Sequence, residues 1–374
     1  MAGKTGGAGR NFSRWRGECL AVQARTPDDH SSETQEARQE EIGRGLQTGC
    51  GTNQRAEEGS LRQARGELTC IGRGRKRRMA QAEEPTPSQP PKKDGLGHDS
   101  TRVMPAHPVS ARNGAGPLQA IISDIHANWE ALEAVLVDIR QQGADEIVCL
   151  GDIVGYGPDP VPCLRRVREV CKWSLCGNHD AAMFMSHAVG FNEAAARAAK
   201  WHRDQMRPRF YSLPGLVSRW RWLENLPAQR VEGRVMYVHA SPREPLIEYV
   251  LEEDFQDIGF GPSQKATSMF EKFEWVCFVG HSHRPGIADH TFNWIKPAEL
   301  PGLAYLPPPD KKTLVNIGAV GQPRDKNPDA CYVLWDGKKI QFRRVKYDVE
   351  TTQKKIRAIP ELHGRLADRL PQGL

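Results

Sequence analysis

From residue 118 onward, apolar residues come in short bursts that end abruptly in small and polar residues, and the earlier bursts are separated by stretches with apolar positions at helical spacing. LQAIIS at 118–123 predicts a strand, the spacing from Trp129 to Arg140 a helix, and EIVCL at 146–150 a second strand, which together make a βαβ opening. Further strands are predicted at WSLC (173–176), VMYVHA (235–240), WVCFVGH (275–281), TLVNIG (313–318), CYVLW (331–335) and KIQFRRV (339–345). Helices separate the early strands and the last strands follow one another closely. The expected class is therefore α/β: a two-sheet β-sandwich flanked by helices, parallel early and antiparallel late. Residues 192–226 read as helical and carry Trp201, Trp220 and Trp222, which suggests a helical cap over about 186–226. A pair of helices after Asp348 is expected to close the domain edge.

Before residue 117 neither periodicity is sustained. Residues 1–116 are rich in Gly, Arg, Gln, Glu and Ser, end in PTPSQPPKKDG and related polar sequence, and are expected to be a disordered, basic, low-complexity extension to a folded domain at 117–374. Met79 and Met104 both precede the first strand and leave open a later start of the mature protein. The basic run RGRKRR at 73–78 reads more simply as a solvated tail than as a nucleic-acid contact. Of the formal net charge of +6, about five charges fall before residue 117, so the folded part is near neutral and nucleic acid is not an expected partner. No apolar run approaches the roughly 18 residues of a membrane span, and the N-terminus lacks a secretory signal, so the expected location is cytoplasmic with no membrane partner. None of the nine cysteines forms a Cys-x-x-Cys pair, and Cys149 and Cys277 lie inside strand-like runs, as buried free thiols would.

The polar clusters that end the strands share one chemistry. Ser123-Asp124-Ile125-His126, Gly151-Asp152, Gly177-Asn178-His179-Asp180, His239 and Gly280-His281-Ser282-His283 all offer carboxylate, carboxamide or imidazole donors to a divalent cation. Any one of them alone would read as a turn, a cap or a hydrogen-bonded core histidine. Together, at successive strand ends, they predict one crevice of metal ligands, and glycines before Asp152, Asn178 and His281 fit sharp turns beside it.

In this order the clusters resemble the full signature of the calcineurin-like metallophosphoesterases, over about residues 118–350. The strings GDIVGYGPDP, HASPREPL and VNIGAVGQPRD also resemble a bacterial subgroup described as diadenosine tetraphosphatase-related or YfcE-like. The resemblance implies a four-layer α/β/β/α fold and two divalent metal ions. Asp124, His126 and His283 would hold the first, Asn178, His239 and His281 the second, and Asp152 would bridge them. Manganese is the first expectation, with Fe, Zn, Ni or Mg open. It further implies that His179 is the general acid toward the leaving group, with the ions lowering the pKa of bound water and neutralising phosphoryl oxygens. One departure from the family matters: protein Ser/Thr phosphatases carry an Asp-Arg pair three residues after the bridging Asp, where this chain has Gly155-Tyr156. A protein substrate is therefore disfavoured.

Phosphate contacts are expected from the Asn178 amide and from Arg243, with Arg324 as a weaker candidate; a surface salt bridge is the competing role for Arg243. Phe191, Trp201 and Trp222 could stack on a base, although helical spacing favours packing. The expected activity is metal-dependent phosphodiester or phosphomonoester hydrolysis on a small substrate, nucleotides included. The alternatives are dinucleoside polyphosphate hydrolysis and a metal-bearing scaffold without catalysis. Oligomeric state is left open.

Overall fold

The computed structural model describes residues 116–185, 190–256 and 261–374. The extension expected over 1–116, with its basic run and alternative starts, lies outside the described residues apart from Gly116, as do 186–189 of the expected cap.

Twelve strands form two six-stranded sheets. The first sheet contains β1 (Gln119–Ile122), β2 (Glu146–Cys149), β3 (Trp173–Ser174), β9 (Ala304–Tyr305), β11 (Ala330–Trp335) and β12 (Ile340–Val345), in the order β3-β2-β1-β11-β12-β9. The second contains β4 (Gln229–Glu232), β5 (Val235–Val238), β6 (Val276–Val279), β7 (Gly286–Ala288), β8 (Trp294–Ile295) and β10 (Thr313–Asn316), in the order β4-β5-β6-β10-β7-β8. β3, β2 and β1 run parallel, as do β5, β6 and β10, and the other pairings are antiparallel. The expectation of parallel strands early and antiparallel strands late thus fails for β10, which follows the β7–β9 excursion yet returns beside β6 in the parallel sense.

The helices are α1 (Trp129–Gln141), α2 (Pro160–Val170), α3 (Asn178–Ala182), α4 (Glu193–Met206), α5 (Pro214–Glu224), α6 (Gln264–Phe270), α7 (Val349–Arg357) and α8 (Arg365–Asp368). None of them is long and apolar enough to cross a membrane.

Strand periodicity sorts the apolar residues into layers. In β1, Ile121 packs between the sheets with Val148, Phe278, Val315 and Val333, while Ala120 and Ile122 face α1 and α2. In β6, Val276 and Phe278 face the first sheet, while Cys277 and Val279 pack on α6. Both faces of these strands are buried, which is why they read as continuous apolar runs rather than alternating ones. The result is the four-layer α/β/β/α sandwich. Trp220 and Trp222 pack on the core beneath α1 and α2, whereas Trp201 packs with α7 and α8. The described cysteines are free.

α1 begins where Asn128 accepts the Ala131 N–H, and the same side chain donates to the Gly321 carbonyl at 2.8 Å and accepts from Thr352 of α7. One cap residue thereby ties the first helix to the loop after β10. Farther along α1, Asp138 accepts from Tyr332 at 2.6 Å and from Arg343 at 2.8 and 3.1 Å, which fixes the helix to β11 and β12. Burial would raise this carboxyl's pKa, but the bonds from Arg343 and Tyr332 outweigh burial and hold it below its ordinary range. Asp138→Ala leaves both donors without their acceptor and should destabilise the domain by about 2 kcal/mol. Urea unfolding checks this, and a loss below about 0.5 kcal/mol would show that water replaces the carboxylate.

Candidate metal centre

The C-terminal ends of β1, β2 and β3 in one sheet and of β5 and β6 in the other deliver Asp124, Asp152, Asn178, His239 and His281 to the same place. The turns are cross-linked through the backbone. Asp124 N–H donates to Gly151 O, His126 N–H to Asp152 O and Gly280 N–H to His239 O, at 3.0, 2.9 and 2.8 Å. A bond between the sheets runs from His281 N–H to Asp124 Oδ2, 3.0 Å. Two glycines make the close approach possible: a Cβ on Gly177 would lie 2.0 Å from Asp152 Oδ1, and one on Gly280 would lie 2.4 Å from Asp124 Oδ2. Asp124, His126, Asp152, His281 and His283 themselves take positive φ values between 48° and 62°. That conformation costs a residue with a side chain about 1–2 kcal/mol, so the surrounding bonds must impose it.

The groups gather into three overlapping clusters: Asp124, His126 and His283; His126, Asp152 and His179; and Asp152, His239 and His281. All are buried, with Asp124 and His239 fully so. Asp152 Oδ2 lies 3.6 Å from His126 Nε2 and 3.4 Å from His239 Nε2, and Asn178 Oδ1 lies 3.2 Å from the same His239 nitrogen. The other Asp152 oxygen accepts the His179 N–H at 2.8 Å.

The tautomers follow from the carbonyls. A carbonyl only accepts, so His126 Nδ1–H donates to Val154 O at 3.1 Å and His283 Nδ1–H to Gln322 O at 2.5 Å. Their Nε2 atoms then carry lone pairs that face each other at 3.0 Å, with Asp124 Oδ1 3.2 Å from that of His283. Asp124 Oδ1 has no hydrogen-bond donor. His281 likewise spends Nε2–H on Ile247 O and leaves Nδ1 for the cluster. Converging acceptors without donors, in a site closed to water, are what a cation satisfies. The donors are imidazole and carboxyl with no thiolate, which fits the borderline-to-hard divalent ions.

The electrostatics divide the cluster. Burial lowers the pKa of His126 and His283 well below the ordinary value, and that of His281 to about 3, which keeps them neutral, as metal binding would require. His239 goes the other way: burial is outweighed by Asp152, and its pKa rises to about 9. Asp152 would be raised by burial, but His239 and His179 hold it well below the carboxylate range.

His179 sits between Tyr156 and Phe191, with ring centroids 4.4 Å from each, and burial lowers its pKa to about 4. Arg243 is not brought to the cluster by any bond; its guanidinium lies 3.4 Å from Glu248, the competing role. Trp201 and Trp222 pack as core rather than beside the ligands, whereas Phe191 does reach His179. Several participants escaped the sequence reading. Asp180, noted only as part of its motif, accepts from the N–H groups of Ile153, Val154 and Gly177 and clamps the second turn to the third. His202, from α4, accepts the Gly155 N–H at 2.9 Å and donates to Gly157 O at 2.8 Å. The carbonyls of Val154, Ile247 and Gln322 carry no sequence signal at all.

Residues 119–297 match the model of the calcineurin-like phosphoesterases. A metallophosphoesterase from Sphaerobacter thermophilus of known structure is 34% identical over 70% of this chain and 100% of its own, with a TM-score of 0.58. The chain belongs to the calcineurin-like phosphoesterase family. An uncharacterized protein of Methanocaldococcus jannaschii is 35% identical over 262 residues, 68% of this chain and 94% of that protein. A hypothetical protein from Pyrococcus horikoshii, 18% identical over 69% of this chain and 98% of its own, shares the fold with a TM-score of 0.52. This phosphoesterase is therefore a phosphoric ester hydrolase whose site carries candidate metal-ligand clusters.

His202 makes the support of the site sensitive to acid. Burial lowers its pKa from 6.5 to about 3, so the unfolded chain takes the proton first as pH falls. The stability it contributes is complete above pH 6.5 and is lost progressively toward pH 3, by roughly 2 kcal/mol at pH 5. Urea unfolding of chelator-treated protein at several pH values should show this loss in the wild type and a flatter dependence in His202→Gln. Parallel curves for the two would assign the acid sensitivity to other groups.

Proposed function

We propose that this phosphoesterase hydrolyses a small phosphoester, nucleotides included, at a pair of divalent cations held by the clustered ligands. The observation that carries the reading is the position of Asp152 Oδ2, within 3.6 Å of His126 Nε2 and 3.4 Å of His239 Nε2, where one carboxylate oxygen faces both ligand groups. Asp124, His126 and His283 would hold one ion, and Asn178, His239 and His281 the other, with Asp152 between them. Manganese is the first ion to try, and Fe, Zn, Ni and Mg suit the same donors. Bound there, the ions would supply a water nucleophile ionised at neutral pH and neutralise phosphoryl charge.

The chain's own groups do the rest. The His179 N–H fixes the rotation of Asp152, and the carbonyls of Val154, Gln322 and Ile247 fix the imidazole planes, so the ligands need no rearrangement when they bind. With its Oδ1 turned toward His239, Asn178 has its amide N–H groups left for a phosphoryl oxygen. His179 is the candidate proton donor to the leaving oxygen. Burial keeps it neutral in the free protein, and an anionic phosphoryl group beside it would raise its proton affinity.

With Mn²⁺ added, the full-length protein should hydrolyse bis-p-nitrophenyl phosphate or p-nitrophenyl phosphate, and Asp152→Asn should abolish turnover. Preference for the diester would direct the substrate search to cyclic nucleotides and other diesters, and preference for the monoester to nucleotide or sugar phosphates. Activity that survives in Asp152→Asn, or that persists after chelation, would overturn the two-ion reading.

His179→Ala should keep its metal content, measured by elemental analysis, and lose turnover by about 100-fold or more. The loss should be larger for an alkyl ester than for p-nitrophenyl esters, whose leaving group needs no proton. Equal losses on both would remove His179 from the proton-donor role.

A further inference from the structure

We infer that Arg324, seated on the ring of Tyr156, is the guanidinium that grips the phosphoryl group, and that Tyr156 is the residue that positions it. This rests on the proposed phosphoester hydrolysis.

The turn after Asp152 has no room for a charged side chain at residue 155: Gly155 has φ +98°, and a Cβ there would lie 2.4 Å from His179 Nδ1. The next residue, Tyr156, places its ring 4.8 Å from that of His126 and 4.4 Å from that of His179, so one edge of the ligand cluster is aromatic. An aromatic face can hold a cation that comes from elsewhere.

The loop after β10 brings one. Its backbone is tied to the ligand turns by Val320 N–H to Ser123 O at 3.0 Å, Gly321 N–H to Asp124 O at 2.9 Å and Arg324 N–H to His283 O at 3.1 Å. Gln322 acts twice: its carbonyl accepts from His283 Nδ1, and its side-chain Oε1 accepts from Arg324 Nη2 at 2.8 Å and Nε at 3.3 Å. The guanidinium carbon lies 5.8 Å from the Tyr156 ring centre. Its orientation is therefore set from one side by a carboxamide and from another by the ring. A fixed guanidinium beside neutral imidazoles suits two-pronged recognition of phosphoryl oxygens, which an ammonium would make less well.

The test uses full-length, Mn²⁺-loaded protein and two readouts, turnover of whichever p-nitrophenyl ester the wild type prefers and calorimetric binding of inorganic phosphate. Arg324→Ala should lower kcat/KM by about 100-fold and weaken phosphate binding by about 10-fold at unchanged metal content. Added guanidinium ion should restore part of the activity, and Arg324→Lys should fall between. Tyr156→Leu should lose affinity and turnover without losing metal, and Tyr156→Phe, which keeps the ring face, should recover most of both. Wild-type turnover with Arg324→Ala unchanged in both readouts overturns the inference and leaves the proposed function standing. A wild type that neither binds phosphate nor hydrolyses either ester overturns both.

Discussion

Two imidazole lone pairs held 3.0 Å apart beside an undonated carboxylate oxygen are an arrangement that a folded chain without a cation has every reason to avoid. The rest of the structure is organised to hold it. Carbonyls of Val154 and Gln322 fix the two tautomers so that neither ring can turn its N–H inward. The ligand residues stand in left-handed backbone conformations that only the bonds between turns enforce. Strain and unsatisfied acceptors at one place are what a bound cation would relieve.

The sandwich explains why such a site can exist. Each sheet contributes a parallel trio, β3-β2-β1 or β5-β6-β10, and in a parallel trio successive strand ends point the same way. Packing Ile121, Val148, Phe278 and Val315 between the sheets sets both trios side by side, so ligands far apart in sequence meet without long side chains. Short, buried Asp and His are thereby held rigidly, and His281 N–H to Asp124 Oδ2 bonds one sheet's turn directly to the other's carboxylate. Gly177 and Gly280 are small because a carboxylate lies where their Cβ atoms would be.

Much of this was legible in the sequence, for a physical reason. Strands buried on both faces read as unbroken apolar runs, and an Asp or His directly after such a run has no packing role to explain it. β4 was missed because QRVE is a polar, largely exposed edge strand, and β7, β8 and β9 because two or three residues carry no period. The return of β10 beside β6 in the parallel sense depends on where three short strands send the chain, which apolar pattern does not record. At the site, the convergence of the polar clusters was readable and their supports were not. Backbone carbonyls have no residue type, and the bonds from His202 to Gly155 and Gly157 reach across two helices and a strand. The Glu248 partner of Arg243, 3.4 Å away, was not legible either, because nearness to His239 in sequence does not say which carboxylate a guanidinium meets.

The supports also divide the site into two parts that can change independently. On the ligand side, orientation comes from main-chain atoms, which substitution elsewhere leaves in place. On the side of Tyr156 it comes from side chains: Phe191 and Tyr156 against His179, and Gln322 beside Arg324. Side chains there can be exchanged without disturbing a tautomer or a strained turn. Tyr156 is the exception that joins the halves. Its ring touches His126 and His179 on one side and underlies Arg324 on the other, so a change there alters the cluster's packing and the placement of the guanidinium together.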